Sequence, residues 1–297
     1  MNLSHMLPFS LLLVPLAWGI YGYVKTRKGP TLDIKSKTGA LQIIINSAVL
    51  YSLAFNIIFF IQELFLALGK RWLGLKAYLY HNNHNWEGEH PMEGLAQGYG
   101  AAAILITGII CLLIVRSMKN NTHWLYVFFL WMAFQGFAQS LPQFITAMAA
   151  PDTDTGQAFT YLKIGNTLGL VISVVCIFFM LWMGSAYSKF LLRLAPSTDY
   201  TANASSRFGY LFRIALLASL IGIILIIPFR IMPWDRAIAP VMVTLISVPM
   251  VFANAWKVKP LITINSSINK KIIVLPVILL VILLFIFQFI LAKGVEM

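Results

Sequence analysis

The segment HNNHNWEGEHP, from His81 to Pro91, holds the densest group of chemically reactive side chains in the sequence. It contains three of the chain's five histidines, and the long apolar run before it carries Gln62 and Glu63 near its end. Imidazole and carboxylate groups bind zinc and other first-row divalent ions, and they also exchange protons near neutral pH. This part of the chain is therefore the candidate functional site.

Four side chains of this segment are candidate metal ligands. His81 and His84 are three residues apart, a spacing that would place both rings on one face of a helical turn. Glu87 and His90 follow within the same loop. Two or three nitrogens with one carboxylate predict a divalent metal, zinc before others, and an open fourth position would make the site catalytic. The alternative is an exposed polar loop in which the histidines share no role.

The composition shows what surrounds this segment. Hydrophobic residues make up 59% of the chain, charged residues only 11%, and the mean hydropathy is +0.81. Globular domains are about 45–50% apolar and about 25% charged. We therefore predict an all-α, polytopic membrane protein, a single integral membrane domain over residues 1–297 with the lipid bilayer as its main partner. The net charge of +12 does not indicate nucleic-acid binding, because the basic residues lie in short connections between apolar runs.

Eight apolar runs approach or exceed the roughly 20 residues that a spanning helix needs. The predicted spans are residues 7–24, 40–69, 95–116, 124–149, 161–186, 210–232, 237–256 and 272–292. If the N-terminus is outside, 15 of the 22 Lys and Arg residues fall on the cytoplasmic side. The positive-inside rule then predicts that both termini and the histidine segment are non-cytoplasmic, in a bacterial inner membrane.

Polar side chains recur at helical spacing inside two of these spans. In the second span, Asn56 and Glu63 are seven residues apart and so share a helical face, and in the fourth, glutamines recur every four residues around a proline. The predicted polar path is lined by Asn56, Gln62, Gln139, Pro142 and Gln143. A carboxylate in a membrane helix normally has a functional partner. Two alternatives stay open: the glutamines only link helices, and Glu63 is an interfacial acid that pairs with Lys70.

Two segments resemble the site-2 type of intramembrane metallopeptidase. FNIIFFIQELFLAL, Phe55 to Leu68, is similar to that family's metal-binding helix, which carries HExxH. QGFAQSLPQFITAMAAPDTDTG, Gln135 to Gly156, is similar to the later segment that supplies a third zinc ligand. The resemblance implies that Glu63 is the general base and Asp154 a carboxylate ligand. It also implies that Gln139 and Pro142 line the substrate path.

The chain departs from that family at both helix histidines, where it has Gln62 and Leu66. Either His81 and His84 fold back to complete a metal site with Glu63 and Asp154, or the protein is a non-proteolytic relative. The leading hypothesis is thus a membrane protein with a divalent-metal site near the non-cytoplasmic face. The main alternative is a transporter or accessory subunit with a polar intramembrane path. A third is a pseudoenzyme that binds the helices of other membrane proteins.

Overall fold

The longest helix, α2 (Ala40–Trp72), lies at the centre of the helical bundle in this computed structural model. The structure describes residues 3–26, 40–118, 123–230, 237–259, 268 and 271–297. With 33 residues, α2 is about 50 Å long at 1.5 Å per residue, more than the roughly 30 Å of a bilayer core. Its most apolar stretch is 72% buried inside the protein. Most of α2 therefore packs against other helices, and its final turns can extend beyond the apolar layer.

The other helices pack around α2 or against one another. They are α1 (Leu3–Thr26), α3 (Glu93–Ala96), α4 (Tyr99–Ser117), α5 (Trp124–Thr146), α6 (Asp154–Tyr161), α7 (Asn166–Arg193), α8 (Asp199–Ala202), α9 (Ala204–Leu211), α10 (Ala218–Ile226), α11 (Ile238–Ala253) and α12 (Val274–Phe285). A π-helical turn, Phe212–Leu217, joins α9 to α10, and a second one, Ile286–Ile290, continues α12.

Six of the described helical segments are long and apolar enough to cross a membrane. They are Leu41–Trp72, Glu93–Ser117, Asn166–Arg193, Ala204–Arg230, Ile238–Lys257 and Val274–Lys293. The prediction of a mainly helical, multi-pass membrane protein is therefore confirmed. Helices α1 and α5 lie at the other two predicted positions but are not among these six. The count of eight spans and the side of each terminus stay predictions.

A small antiparallel sheet lies beside the end of α2, and the all-α prediction missed it. Strand β1 (Lys76–Leu79) pairs with β2 (His84–Glu87) on one side and with β3 (Val295–Glu296) on the other. Because β3 joins the hairpin, the last residues of the chain and the histidine segment lie at the same end of the bundle. We call this end the sheet end.

The main hydrophobic core lies between α2, α5 and α7, and aromatic rings form its centre. The ring of Trp131 meets those of Tyr51 and Phe134 edge-on, with centroid distances of 5.1 and 5.3 Å. Such edge-to-face contacts add to the burial of the rings. The indole nitrogen of Trp131 donates to the Ser47 hydroxyl at 3.1 Å, and that hydroxyl donates to the Ile214 carbonyl at 2.6 Å. These two hydrogen bonds satisfy the Trp131 indole nitrogen and the Ser47 hydroxyl and help to fix the position of α2.

Helices α4 and α5 approach each other through glycines. A β-carbon built on Gly136 would lie 2.6 Å from the Cα of Gly108 and 2.8 Å from the Ile104 carbonyl oxygen. Small residues allow this close approach of two helix backbones, which is a common way to pack membrane helices.

We predict that Gly136→Ala separates α4 from α5 and lowers stability by about 1–3 kcal/mol, the usual effect of overpacking. Thermal unfolding of the protein in detergent measures it. Gly209→Ala is the matched control, because a β-carbon on this helical glycine would meet nothing within 4 Å. Equal melting temperatures for the two variants would contradict the prediction.

Candidate functional site

A buried carboxylate and an imidazole meet at the sheet end. The Glu63 Oε2 atom lies 2.9 Å from His84 Nδ1, and the two side chains are only 6% and 7% exposed. The other ring nitrogen of His84 lies 3.3 Å from the amide oxygen of Gln97. Both ring nitrogens thus face oxygen acceptors, an arrangement that a doubly protonated imidazolium satisfies completely. This pair can hold a proton between an acid and a base that are shielded from water.

The alternation of side chains along β2 explains why His84 points inward. Residues two apart on a strand share a face, so His84 and Trp86 point towards α2, whereas Asn85 and Glu87 are exposed. The Trp86 ring stacks on the His84 ring with a centroid distance of 5.8 Å and an angle of 11°. Two helical turns after Glu63, the Lys70 ammonium lies 4.1 Å from the centre of the Trp86 ring. Two polar contacts, Glu63 with His84 and Lys70 with Trp86, therefore dock β2 on α2, and Ala77 and Leu79 of β1 form a buried apolar cluster with Ala67 of the same helix.

Lys70 is completely buried, and its partners differ from those considered in the sequence analysis. Its ammonium donates to the Glu93 carbonyl oxygen at 2.7 Å, in addition to its contact with Trp86. The carboxylates of Glu93 and Asp154 lie close enough to act on its charge. Lys70 thus links α2 to the hairpin and to α3, and the partner of Glu63 is His84 instead of Lys70.

Glutamines connect α2 with α5 and α6 next to this pair. The Gln143 amide nitrogen donates to the Gln62 side-chain oxygen at 2.8 Å, and the Gln143 side-chain oxygen accepts from the Thr155 hydroxyl at 3.2 Å. Gln139 donates to the Phe55 carbonyl at 3.4 Å and to the Gln135 side chain at 3.2 Å. The predicted path residues on these two helices are therefore brought together as a chain of hydrogen-bonded amides. Pro142 lies inside α5 between two of them.

Asn56 belongs to a second polar contact. Its side-chain oxygen lies 3.5 Å from an Arg230 Nη2 donor, and its amide nitrogen donates to the Ser52 carbonyl. The Arg230 guanidinium is 1% exposed and lies 3.7 Å from the centre of the Phe59 ring. A cation over an aromatic face is stabilised where water is excluded. Asn56 therefore faces a buried cation instead of the glutamines.

The structure places the remaining predicted ligands apart. Glu87 is exposed and accepts from the Tyr78 hydroxyl at 3.0 Å, and His90 Nδ1 accepts from the Met92 backbone at 3.1 Å. Asp154 is the first residue of α6. His81 is buried in the turn between β1 and β2, and its ring centroid lies 6.2 Å from that of Phe287.

Within the described part of the chain, no three His, Cys, Asp or Glu side chains gather so as to hold a metal ion. The prediction that His81 and His84 share a helical turn is wrong, because His84 begins β2 and His81 lies in the loop before it. Of the predicted ligands, only His84 contacts Glu63. The zinc site therefore stays a prediction, because the contacts among the described residues do not bring three ligands together.

Two residues of the site escaped the sequence analysis. Gln97 lies just beyond the histidine segment, in the turn between α3 and α4, and gave no spacing signal. Arg230 ends an apolar run, where a basic residue normally indicates orientation, and its contacts with Asn56 and Phe59 lie on a helix far away in the sequence.

Comparison with known proteins gives no family for this chain. No family model matches it, and neither the curated proteins nor the solved structures contain a match. The resemblance to site-2 metallopeptidases therefore stays a prediction, and the function must be argued from the site itself.

Burial, together with the positive charge of Arg230, lowers the pKa of His81 to about 4. The unfolded chain has a value of about 6.5, so between these values the unfolded state binds more protons than the folded state. We predict that stability falls as the pH is lowered from 6.5 towards 4. His81→Gln should reduce this loss of folding stability by up to about 3 kcal/mol.

Melting temperatures in detergent between pH 7.5 and pH 4.5 measure this effect. His90→Gln, which removes a histidine at the rim of the same loop, is the control and should keep the wild-type pH dependence. A His81→Gln protein that loses as much stability as the wild type would contradict the prediction.

Proposed function

We propose that this protein is a proton-linked transport protein of the cell membrane, in which Glu63 and His84 together bind and release the proton. The observation that carries the proposal is the contact of 2.9 Å between two ionisable side chains buried in a bundle of membrane type. Ionisable groups inside membrane proteins are expensive to bury, and they typically mark proton relays and substrate pathways.

The docked hairpin suggests how a proton could be linked to access. In the ion-paired state, the Glu63 carboxylate attracts the His84 imidazolium and holds β2 on α2. A proton on Glu63 removes its negative charge, so the attraction is lost and the hairpin is held by Trp86 and by the apolar cluster of Ala77 and Leu79 with Ala67 of α2. Protonation would therefore loosen β2 beside Glu63, which follows Gln62 in α2, and the Gln62 side chain accepts a hydrogen bond from Gln143. The hairpin then acts as a gate, and the amides offer hydrogen bonds to a polar solute.

A hydrolytic role for Glu63 has less support. A general base must reach the proton of an attacking water, whereas Glu63 Oε2 faces His84. The positions of the two helix histidines of the metallopeptidase family hold Gln62, which accepts a hydrogen bond from Gln143, and Leu66, which is fully buried.

We also propose that the sheet end is non-cytoplasmic. The described residues at the opposite end, where α1 and α11 finish, include nine basic side chains and one acid, Asp199. The described residues at the sheet end include six basic side chains and seven acids. We call the opposite end the basic end, and the positive-inside rule favours its location in the cytoplasm.

Charge displacement after a pH step tests the proton proposal. The protein is reconstituted in vesicles on a solid-supported membrane, where proton binding to a buried site gives a transient current even without a transported solute. Glu63→Gln keeps a side-chain oxygen for His84 but cannot ionise. We expect its current to fall below about a tenth of the wild-type current, because the buried ionisable group is gone.

The matched control is Glu89→Gln, which makes the same chemical change at an exposed acid of the same segment and should keep the full current. His84→Gln should behave like Glu63→Gln. A wild-type protein without a transient, or a Glu63→Gln protein with an unchanged one, would refute the proton proposal.

A divalent metal is the second candidate ligand of the same pair, because a carboxylate oxygen and an imidazole nitrogen are donors that zinc accepts. Two donors do not complete a zinc site, which takes at least three protein ligands. We therefore expect elemental analysis of the purified protein to find equal, substoichiometric zinc in wild type, Glu63→Gln and His84→Gln. One zinc per chain that is lost in both variants would favour the metal site over the proton site.

A further inference from the structure

A large apolar groove opens at the basic end, far from Glu63 and His84. Its volume is about 680 Å³, and it lies between α1, α9 with the following π-helical turn, and α11. Its apolar lining includes Leu16 and Ile20 of α1, Leu216 of the turn and Phe252 of α11. Binding sites for small amphipathic molecules have this size and this mainly apolar lining.

Local backbone features open this groove. The π-helical turn Phe212–Leu217 is wider than an α-helix and directs Phe212, Arg213 and Leu216 to the cavity. Such turns occur frequently at functional sites. Gly19 of α1 also lines the groove, and it lets α1 pack closely on α11, because a β-carbon there would lie 3.7 Å from the Ala253 Cα. The backbone of the π-helical turn therefore shapes one wall of the groove.

One charged side chain lies in the groove wall. Arg213 is half-buried, and its guanidinium forms no hydrogen bond or ion pair with any described residue. Tyr23, Tyr200 and Ser205 also line the groove. A partly buried cation with no counter-charge among the described residues favours the binding of an anion. The groove thus combines a mainly apolar lining with one positive charge.

We infer that this groove binds one acyl chain of an anionic phospholipid from the surrounding bilayer, with its phosphate at Arg213. The charge of the basic end supports this occupant, because nine basic side chains and one acid attract the anionic lipids of a cytoplasmic leaflet. The apolar lining selects a long hydrocarbon chain over a free anion. This lipid site is independent of the proton pair at the sheet end.

Native mass spectrometry of the full chain, released from detergent after titration with defined lipids, tests the inference. We expect one tightly held palmitoyl-oleoyl phosphatidylglycerol per chain. Phosphatidylcholine with the same chains, and phosphatidylglycerol with six-carbon chains, should each bind at least about tenfold more weakly, about 1.4 kcal/mol. Excess inorganic phosphate should not displace the bound lipid.

Two variants separate the headgroup contact from the acyl-chain contact. Arg213→Gln should weaken phosphatidylglycerol binding at least about tenfold, the typical effect of losing a charge-assisted contact. Leu16→Trp, which adds bulk to the apolar lining of the groove, should reduce the occupancy of both long-chain lipids. Lys189→Gln is the control: it removes the same charge from an exposed position at the same end and should leave binding unchanged.

The wild-type lipid series decides the inference even if a variant misfolds. Equal affinity for the two headgroups or for the two chain lengths would overturn it. So would a folded Arg213→Gln protein that binds phosphatidylglycerol as the wild type does. Displacement of the lipid by inorganic phosphate would also overturn it. So would a mass spectrum that shows a lipid-free dimer instead of a lipid-bound monomer.

Discussion

The contact between Glu63 and His84 is the interaction on which the arrangement of the sheet end depends. Glu63 belongs to the central helix, whereas His84 belongs to β2 of a short hairpin whose other strand, β1, buries Ala77 and Leu79 in an apolar cluster with Ala67 of α2. A buried carboxylate without a partner would be strongly unfavourable, so the hairpin is held where it satisfies Glu63. The Trp86 ring, which stacks on His84, also covers the Lys70 ammonium. Both buried charged side chains of α2, Glu63 and Lys70, therefore contact the hairpin through these two rings.

The sequence predicted the helices well because their formation depends on long apolar runs, which are read directly from composition. It also singled out Glu63, because a carboxylate on the polar face of such a run needs a partner. Strands β1 and β2 have only four residues each, too short for a clear alternation, and β3 is more than 200 positions away in the chain. The sheet was therefore missed, and with it the reason why His84 points to Glu63 while His81 lies in the turn.

The partners of the polar residues could not be derived from spacing. Gln97 meets His84, and Arg230 meets Asn56, only because segments far apart in the sequence pack side by side. The glutamine pattern in α5 correctly indicated one polar face, and its contact with Gln62 and Thr155 shows which neighbours that face meets. Spacing identifies the face of a helix, but the packing of the whole bundle decides what lies opposite.

The two ends of the bundle differ in chemistry. Acids, imidazoles and amides gather at the sheet end, whereas the opposite end is basic and contains the groove beside Arg213. A protein built in this way presents a titratable surface to one compartment and an anion-attracting surface to the other. This asymmetry connects the proposed proton site and the proposed lipid site without any contact between them.

The pairing of β3 with β1 has a consequence for biogenesis. The edge of β1 that receives Val295 and Glu296 stays open until the ribosome has made α12 and the residues that follow it. Lys76 lies 3.6 Å from Glu87 and 3.9 Å from Glu296, so it too gains its second neighbour only then. During synthesis the hairpin is thus an unfinished sheet until more than 200 further residues have been made.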